Sequence, residues 1–324
     1  MKRRSLFRFL GFAVVVAAAT ASAQQPGRIP TVGVLITHAR LTDPVVEMFR
    51  SGLRSIGYED GRNIRLEFVT AQGQLDRLPV LAQQLVDSKV DVIISPNEMS
   101  ARAAQKATSA IPIVMFAWTN DPVTMGLIAS YSRPGGNITG IHTLSADLEA
   151  KRLEIIKEAF PNVSRVAAFW DPAFGGQPAE VQRAGQTLGL RVDVIEVRGP
   201  EELEAAFRAA RQKKAGAVLL MAAPIFYVQR ERIASLAIEA HIPVVAASGE
   251  QVHAGFLMSY GIDLDEVYKR AGYYVDRLLK GAKASELPVE QVARLKLSIN
   301  LKTARTLGVT VPQAVLFRAD EVVQ

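Results

Sequence analysis

The sequence predicts an α/β fold of two doubly wound lobes, each with a parallel sheet, and three observations support it. Short apolar runs alternate with amphipathic stretches of helical length, which is the pattern of strands joined by crossover helices. A length of 324 residues exceeds one ordinary domain and fits two of about 130–150 residues each. The strand–helix–strand pattern at 90–94 and 111–114 recurs at 215–220 and 242–245, so we expect two similar halves.

The elements follow from local signals. Strands are predicted where an apolar run is too short for a helix and is bounded by turn residues. They are expected at 28–37, 63–70, 90–95, 111–117, 137–143, 165–170, 191–197, 215–222, 242–247, 256–259 and 295–301. Helices are predicted where a start signal such as Asp43-Pro44 precedes an amphipathic run that ends at a breaker such as Gly57. They are expected at 43–56, 74–88, 97–108, 121–133, 146–159, 178–188, 200–212, 225–240, 263–279 and 302–307.

The stretch from Ile111 to Thr143 is expected to lead the chain out of one lobe and into the other. A buried strand is followed by a polar turn, a short helix that begins at Asp121-Pro122 and ends before Pro134-Gly135, and a second strand. One large barrel is the alternative, but the crossing at Gly136-Asn137 would interrupt its run of βα units.

The first 23 residues carry the pattern of an export signal. A basic start with Arg3 and Arg4 precedes an apolar run from Leu10 to Ala19 and an A-x-A cleavage site, so cleavage is expected after Ala23. A single membrane anchor is the alternative. The Arg3-Arg4 pair also fits a twin-arginine signal, which leaves the export route open.

Charge and cysteine content limit the partners and the compartment. The signal contains four of the 38 basic residues, which leaves 34 against 32 acidic ones. No basic stripe is present, so no nucleic-acid partner is expected. The chain has no cysteine, which excludes an N-terminal lipid anchor, and we therefore expect an unanchored protein of the periplasm.

No catalytic motif is evident. The four histidines, His38, His142, His241 and His253, do not form H-E-x-x-H, and there is no G-x-S-x-G. We expect no enzymatic activity, no cofactor and no metal site.

Candidate ligand-binding residues lie at the carboxyl ends of the predicted strands, where open α/β sheets bind small molecules. They are Thr37, His38, Asn97, Glu98, Ser100, Trp118, Thr119, Asn120, Trp170, Asp171, Phe226, Tyr227, Ser248, Glu250 and Tyr260. Trp118 and Trp170 each end a strand, one per lobe, and would stack a flat ligand; core packing is the alternative for both. Asp171 and Glu250 offer carboxylates to a ligand ammonium, with helix capping or solvation as the alternative.

Several stretches resemble the ABC-transporter substrate-binding proteins of the tryptophan/tyrosine-type group. The matching stretches are 49–58 (FRSGLRSIGY), 61–67 (GRNIRLE), 111–114 (IPIV), 121–123 (DPV), 133–140 (RPGGNITG), 151–157 (KRLEIIK), 255–261 (GFLMSYG), 298–304 (SINLKTA) and 318–321 (RADE). Two places depart from the family pattern: Pro96-Asn97-Glu98 replaces a threonine-containing turn, and Ala222-Ala223-Pro224 replaces an acidic position.

The resemblance implies a type I periplasmic-binding-protein fold with three crossovers, near Gly140, near Gly255 and at 287–292. The first lobe would comprise 28–141 and 254–288, and the second 144–252 and 293–324. It further implies a monomer that binds a small molecule, an amino acid or an aromatic or carboxylate compound, between the lobes. Its partners would be the permease and ATPase subunits of an importer in the inner membrane. A receptor for a sensor kinase and a secreted hydrolase are the alternatives.

Overall fold

The alternating apolar runs form two separate sheets. The computed structural model describes residues 28–117, 121–142, 145–174, 177–291 and 294–324. The strands are β1 Thr31–Ile36, β2 Arg65–Thr70, β3 Val92–Ser95, β4 Ile113–Ala117, β5 Ile138–His142, β6 Arg165–Trp170, β7 Arg191–Glu196, β8 Ala217–Leu220, β9 Val244–Ala246, β10 Met258–Ile262, β11 Glu290–Gln291, β12 Leu295–Asn300 and β13 Glu321–Val323. The α-helices are α1 Pro44–Arg54, α2 Leu78–Asp87, α3 Glu98–Ala107, α4 Ser145–Ala159, α5 Pro178–Thr187, α6 Leu203–Gln212, α7 Pro224–Val228, α8 Arg230–Ala240, α9 Gly249–His253, α10 Leu264–Leu279, α11 Leu301–Leu307 and α12 Gln313–Leu316.

The first sheet has the order β11-β5-β4-β3-β1-β2, and its neighbouring strands are parallel. Alternate residues of its central strands enter two different cores. Val34 and Ile94 face one apolar cluster, whereas Leu35 and Ile93 face the other. Because helices cover both faces, these strands are apolar at nearly every position, which is why they appear as continuous runs in the sequence.

The second sheet has the order β13-β12-β10-β9-β8-β6-β7. Its pairs are parallel except β10 with β12, which is antiparallel. Val218 and Leu219 again enter opposite clusters. The predicted class, two doubly wound lobes with mainly parallel sheets, is confirmed.

Helix α10 returns the chain to the first lobe. It packs against α1 so closely that a Cβ on Gly52 would lie 2.3 Å from the Tyr268 carbonyl oxygen. Tyr268 also makes an edge contact with Phe49, with ring centroids 4.8 Å apart. The chain therefore passes between the lobes after β5, between β10 and α10, and between β11 and β12.

The second of these passages differs from the predicted one. It was expected near Gly255, with 254–262 in the first lobe, but β10 pairs with β9 and β12 in the second sheet. The passage follows Ile262 instead. The apolar run gives no information about which sheet a strand joins, because both sheets offer an apolar partner.

Two predicted helices are also different in the structure. Residues 121–130 form successive turns, not a helix, because Gly126 adopts a left-handed conformation with φ of 70° one turn after Asp121. The stretch 225–240 divides into α7 and α8 at Gln229. The short elements α9, α12, β11 and β13 have too few residues for a periodic signal, and the sequence did not predict them. Within the described ranges, none of the helices has the length and apolar character needed to span a membrane.

Candidate functional site

A cavity of about 190 Å³ lies where the carboxyl ends of the two sheets face each other. Seven of the predicted residues that the structure describes line it: Thr37, His38, Asn97, Glu98, Phe226, Tyr227 and Ser248. Both lobes contribute, as the rule for open α/β sheets predicts. The volume is enough for one small organic molecule.

Asn97 organises the first-lobe side. It caps α3 by accepting a hydrogen bond from the Ser100 backbone N–H at 3.0 Å, and its amide nitrogen donates to the Thr37 hydroxyl at 2.9 Å. The Ser100 hydroxyl turns back to donate to the Asn97 carbonyl. Ser100 therefore stabilises the helix cap at Asn97 and does not line the cavity.

His38 lines the cavity from the first lobe and contacts an aromatic ring of the second lobe. Its imidazole lies edge-on to Phe174, with ring centroids 5.0 Å apart. Burial lowers the pKa of His38 from 6.5 to about 4, so the ring is neutral at ordinary pH. Its Nδ1 is buried and has no hydrogen-bond partner among the described residues.

The second-lobe side begins at α7 and α9. The Tyr227 hydroxyl lies 3.5 Å from Met48 Sδ of the first lobe, and burial raises the pKa of Tyr227 to about 12. The Ser248 hydroxyl donates to Gln251 Oε1 at 3.2 Å, which fixes the start of α9. Together with Phe174 and His38, Tyr227 and Met48 bring the two lobes into contact around the cavity.

A buried ion pair, Glu149 with Arg152, lies beside the cavity. The Arg152 side chain is 1% exposed and that of Glu149 is 5% exposed, with 2.7 Å between Nη1 and Oε1. Arg152 lines the cavity. Glu149 Oε1 accepts the Ala222 backbone N–H at 2.9 Å, so the pair is attached to the end of β8, where the sequence lacks an acidic residue.

Besides Ser100, four described residues of the prediction do not line the cavity. Trp170 packs against the apolar cluster of the second lobe, because its ring points to the helix-covered face of β6. The Asp171 carboxylate accepts the Ala173 N–H at 2.9 Å, and burial raises its pKa. Glu250 has a buried Oε2 without a partner among the described residues, and burial raises its pKa. Tyr260 packs against both cores.

Among the described residues, the aromatic surface of the cavity comes from other residues than Trp170. Phe174, Phe226, Tyr227 and Tyr268 line it. Trp118, Thr119 and Asn120 lie outside the described residues, so their predicted role stays a prediction.

Arg152, Phe174 and Tyr268 were missed by the sequence analysis. Arg152 and Glu149 are spaced i, i+3 on a helix, a pattern that is typical of solvent-exposed pairs. Phe174 lies in a short 3-10 turn after β6, and Tyr268 lies in the middle of α10. Only the position next to the carboxyl end of a strand, which Phe174 has, could have indicated a site residue.

The arrangement is suited to binding a small molecule. In the described part of the chain, no group of three or more histidine, aspartate or glutamate side chains is arranged to hold a metal ion. The cavity combines an apolar, ring-lined surface with a few fixed polar groups, which is the usual composition of a small-molecule site.

Two α/β lobes with a ring-lined cavity at their facing strand ends fit a protein that binds a small molecule. The chain belongs to the ABC transporter substrate-binding protein family, whose model matches residues 31–323. The resemblance expected from the sequence is thus confirmed.

Relatives agree with this assignment. A protein of Clostridioides difficile (strain R20291) named "Tyrosine-binding protein" is 29% identical over 283 residues, which are 84% of this chain and 79% of that protein. A crystal structure of a conserved domain protein from Vibrio cholerae has a TM-score of 0.81 at 27% identity and covers 91% of this chain and 100% of that one. The structure of an ABC domain from Streptococcus pneumonia in complex with L-Trp has a TM-score of 0.80 at 25% identity, with the same coverage.

Proposed function

We propose that this protein is the periplasmic receptor of an ABC-type importer and that it binds an aromatic amino acid, or a closely related aromatic acid, between its lobes. The observation that carries the proposal is the cavity itself, which is lined by rings from both lobes. The names of two relatives, one tyrosine-binding and one in complex with L-Trp, favour the same ligand class.

Ligand binding would work by shifting the balance between open and closed forms. Phe174 touches His38 and Tyr227 touches Met48 only when the lobes are together. A ligand that contacts both lobes adds interactions that exist only in the closed form, and it stabilises that form by this difference. The closed receptor would then be recognised by the permease, whose ATPase subunits drive uptake.

The export signal supports the periplasmic location. The basic start, the apolar run and the cleavage site of this signal all precede the first strand of the described structure. If the proposal is correct, the protein isolated from the periplasm begins at Gln24 and is monomeric. An intact N-terminus at Met1 in a membrane fraction would instead indicate the anchor alternative.

The test combines native mass spectrometry with solution scattering. Protein purified from its own periplasm should carry a small molecule, and addition of that molecule to stripped protein should reduce the radius of gyration. A ligand at 100 times its Kd should add about 2.7 kcal/mol to the free energy of unfolding. A protein that retains no solute, and whose radius of gyration and stability no solute changes, would contradict the proposal. Conversion of the bound molecule over hours would indicate a hydrolase.

A further inference from the structure

The Glu149–Arg152 pair is buried beside the cavity, and the fold alone does not require a charged pair at this place. Arg152 is among the largest fully buried side chains, and it lines the cavity. Burying a guanidinium is costly unless its charge and its donors are satisfied. The charge is balanced by Glu149 at 2.7 Å, but the donors are not all used.

The Arg152 guanidinium lies beside β10 and the segments that follow β8 and β9. Its Nε–H donates to the Tyr260 carbonyl of β10 at 2.6 Å. Glu149, its charge partner, is bound to Ala222 after β8. The absence of a side chain at Gly261 leaves room for the guanidinium. A Cβ at this position would lie 3.2 Å from Arg152 Nη2 and 1.8 Å from the Ala247 carbonyl oxygen. Two family-like stretches, 151–157 and 255–261, thus meet at this side chain.

The outer part of the guanidinium retains unused donors. Arginine has five N–H donors, and the bond to Tyr260 uses one. Nη1 is buried and has no hydrogen bond of acceptable geometry within the described ranges, since its contact with Glu149 is a charge contact only. A buried donor without an acceptor is unfavourable. An arginine whose only task was to attach α4 to β10 would not need to keep such a donor beside a cavity.

We propose that Arg152 binds the carboxylate of an aromatic acid or amino acid, and that the ligand's negative end therefore points to the second lobe. This inference rests on the proposed function. The planar fork of arginine matches a carboxylate, and charge-assisted hydrogen bonds of this kind are the strong ones. Glu98 lines the cavity from the first lobe and is 4% exposed. A ligand with its carboxylate on Arg152 can direct a cationic amine toward Glu98.

The experiment compares matched ligands on the full mature protein. The probes are L-tyrosine and L-tryptophan, the amines tyramine and tryptamine, which lack the carboxylate, and the acids hydroxyphenylpropionate and indolepropionate, which lack the amine. Binding is measured by calorimetry and by thermal shift. For the wild type we expect removal of the carboxylate to weaken binding about 10- to 100-fold, and more than removal of the amine does.

The variants separate ligand binding from folding. Arg152→Met alone leaves Glu149 buried and unpaired, and this can unfold the protein. The double variant Glu149→Gln/Arg152→Met removes both charges and is expected to fold. It should bind tyramine and L-tyrosine with affinities within about 3-fold of each other, since the discriminating group is gone. Arg165→Met is the matched control, because Arg165 lies in the same lobe and also donates to a backbone carbonyl, that of Lys213 at 2.9 Å, but does not line the cavity.

Three results would overturn the inference: amines that bind the wild type as tightly as the parent amino acids, a double variant that keeps the full preference for the carboxylate, or a wild type that binds none of the six probes. In each case the proposed function is judged separately, by whether a solute co-purifies and closes the lobes.

Discussion

Lowering the pH from about 7 to about 5 should weaken ligand binding through His38. In the closed form its ring is buried against Phe174, and burial lowers the pKa of His38 from 6.5 to about 4. In the open form the ring meets water and should titrate near its ordinary value. As the pH falls below 6.5, the open form gains a proton that the closed form does not accept until about pH 4. The closed form, and with it bound ligand, therefore loses stability over this window.

The size of the effect follows from the two pKa values. A His38 pKa near 4 in the closed form against 6.5 in the open form makes closure at pH 5 less favourable than at pH 7 by about 2 kcal/mol, or about 20-fold in affinity. This is an upper bound, because the ring retains some contact with solvent and the open form can bury part of it.

Calorimetric titration of an aromatic amino acid at several pH values provides the measurement. His38→Gln carries no ionisable group and should lose most of the pH dependence between 7 and 5. His241→Gln serves as the control, since His241 is exposed at the end of α8. If His38→Gln and the wild type weaken in parallel as the pH falls, another group is responsible and the reasoning about His38 is wrong.

Two further predictions concern Gly261, which lies beside Arg152, and Asn97, which lies on the first-lobe side of the cavity. Gly261→Ala should lower the free energy of unfolding by about 3 kcal/mol or more, because its Cβ would lie 1.8 Å from the Ala247 carbonyl oxygen and β9 and β10 would have to separate; an unchanged urea midpoint would contradict this. Asn97→Ala should cost about 1–2 kcal/mol through loss of the α3 cap and of the bond to Thr37, and it should weaken ligand binding as well. Asn300→Ala is its control: Asn300 caps α11 and also donates to a buried carbonyl, but lies outside the cavity lining, so only stability should fall. Equal losses of affinity in both variants would contradict a ligand role for Asn97.

The strands were predictable from local sequence because their physical requirement is local. Residues 165–170 form β6 as predicted, since a strand covered by helices on both faces must be apolar along its buried part. The same holds for the helices that follow a clear start signal, such as α1 after Asp43. The cavity residues nearest to strand ends, Thr37 and Asn97 among them, followed from topology: parallel strands expose their carboxyl ends at one edge of the sheet.

Other features depended on partners distant in the chain. The Asp121-Pro122 start signal predicted a helix. In the structure the Asp121 carboxylate accepts hydrogen bonds from the hydroxyls of Thr124 and of Tyr131, which is ten residues away. Trp170 ends a strand as expected, but the direction of its ring is set by the packing of the second lobe.

The sequence by itself determined the two-lobed α/β class and the edge of each sheet where a ligand would bind, because hydrophobic periodicity and strand direction are properties of short segments. Only the tertiary structure decided that β10 joins the second sheet, that Phe174 reaches His38 across the lobes, and that Arg152 is buried beside the cavity. These three features depend on contacts between segments that are far apart in the sequence. Such contacts form only after the chain has passed three times between the lobes, so no local sequence pattern predicts them.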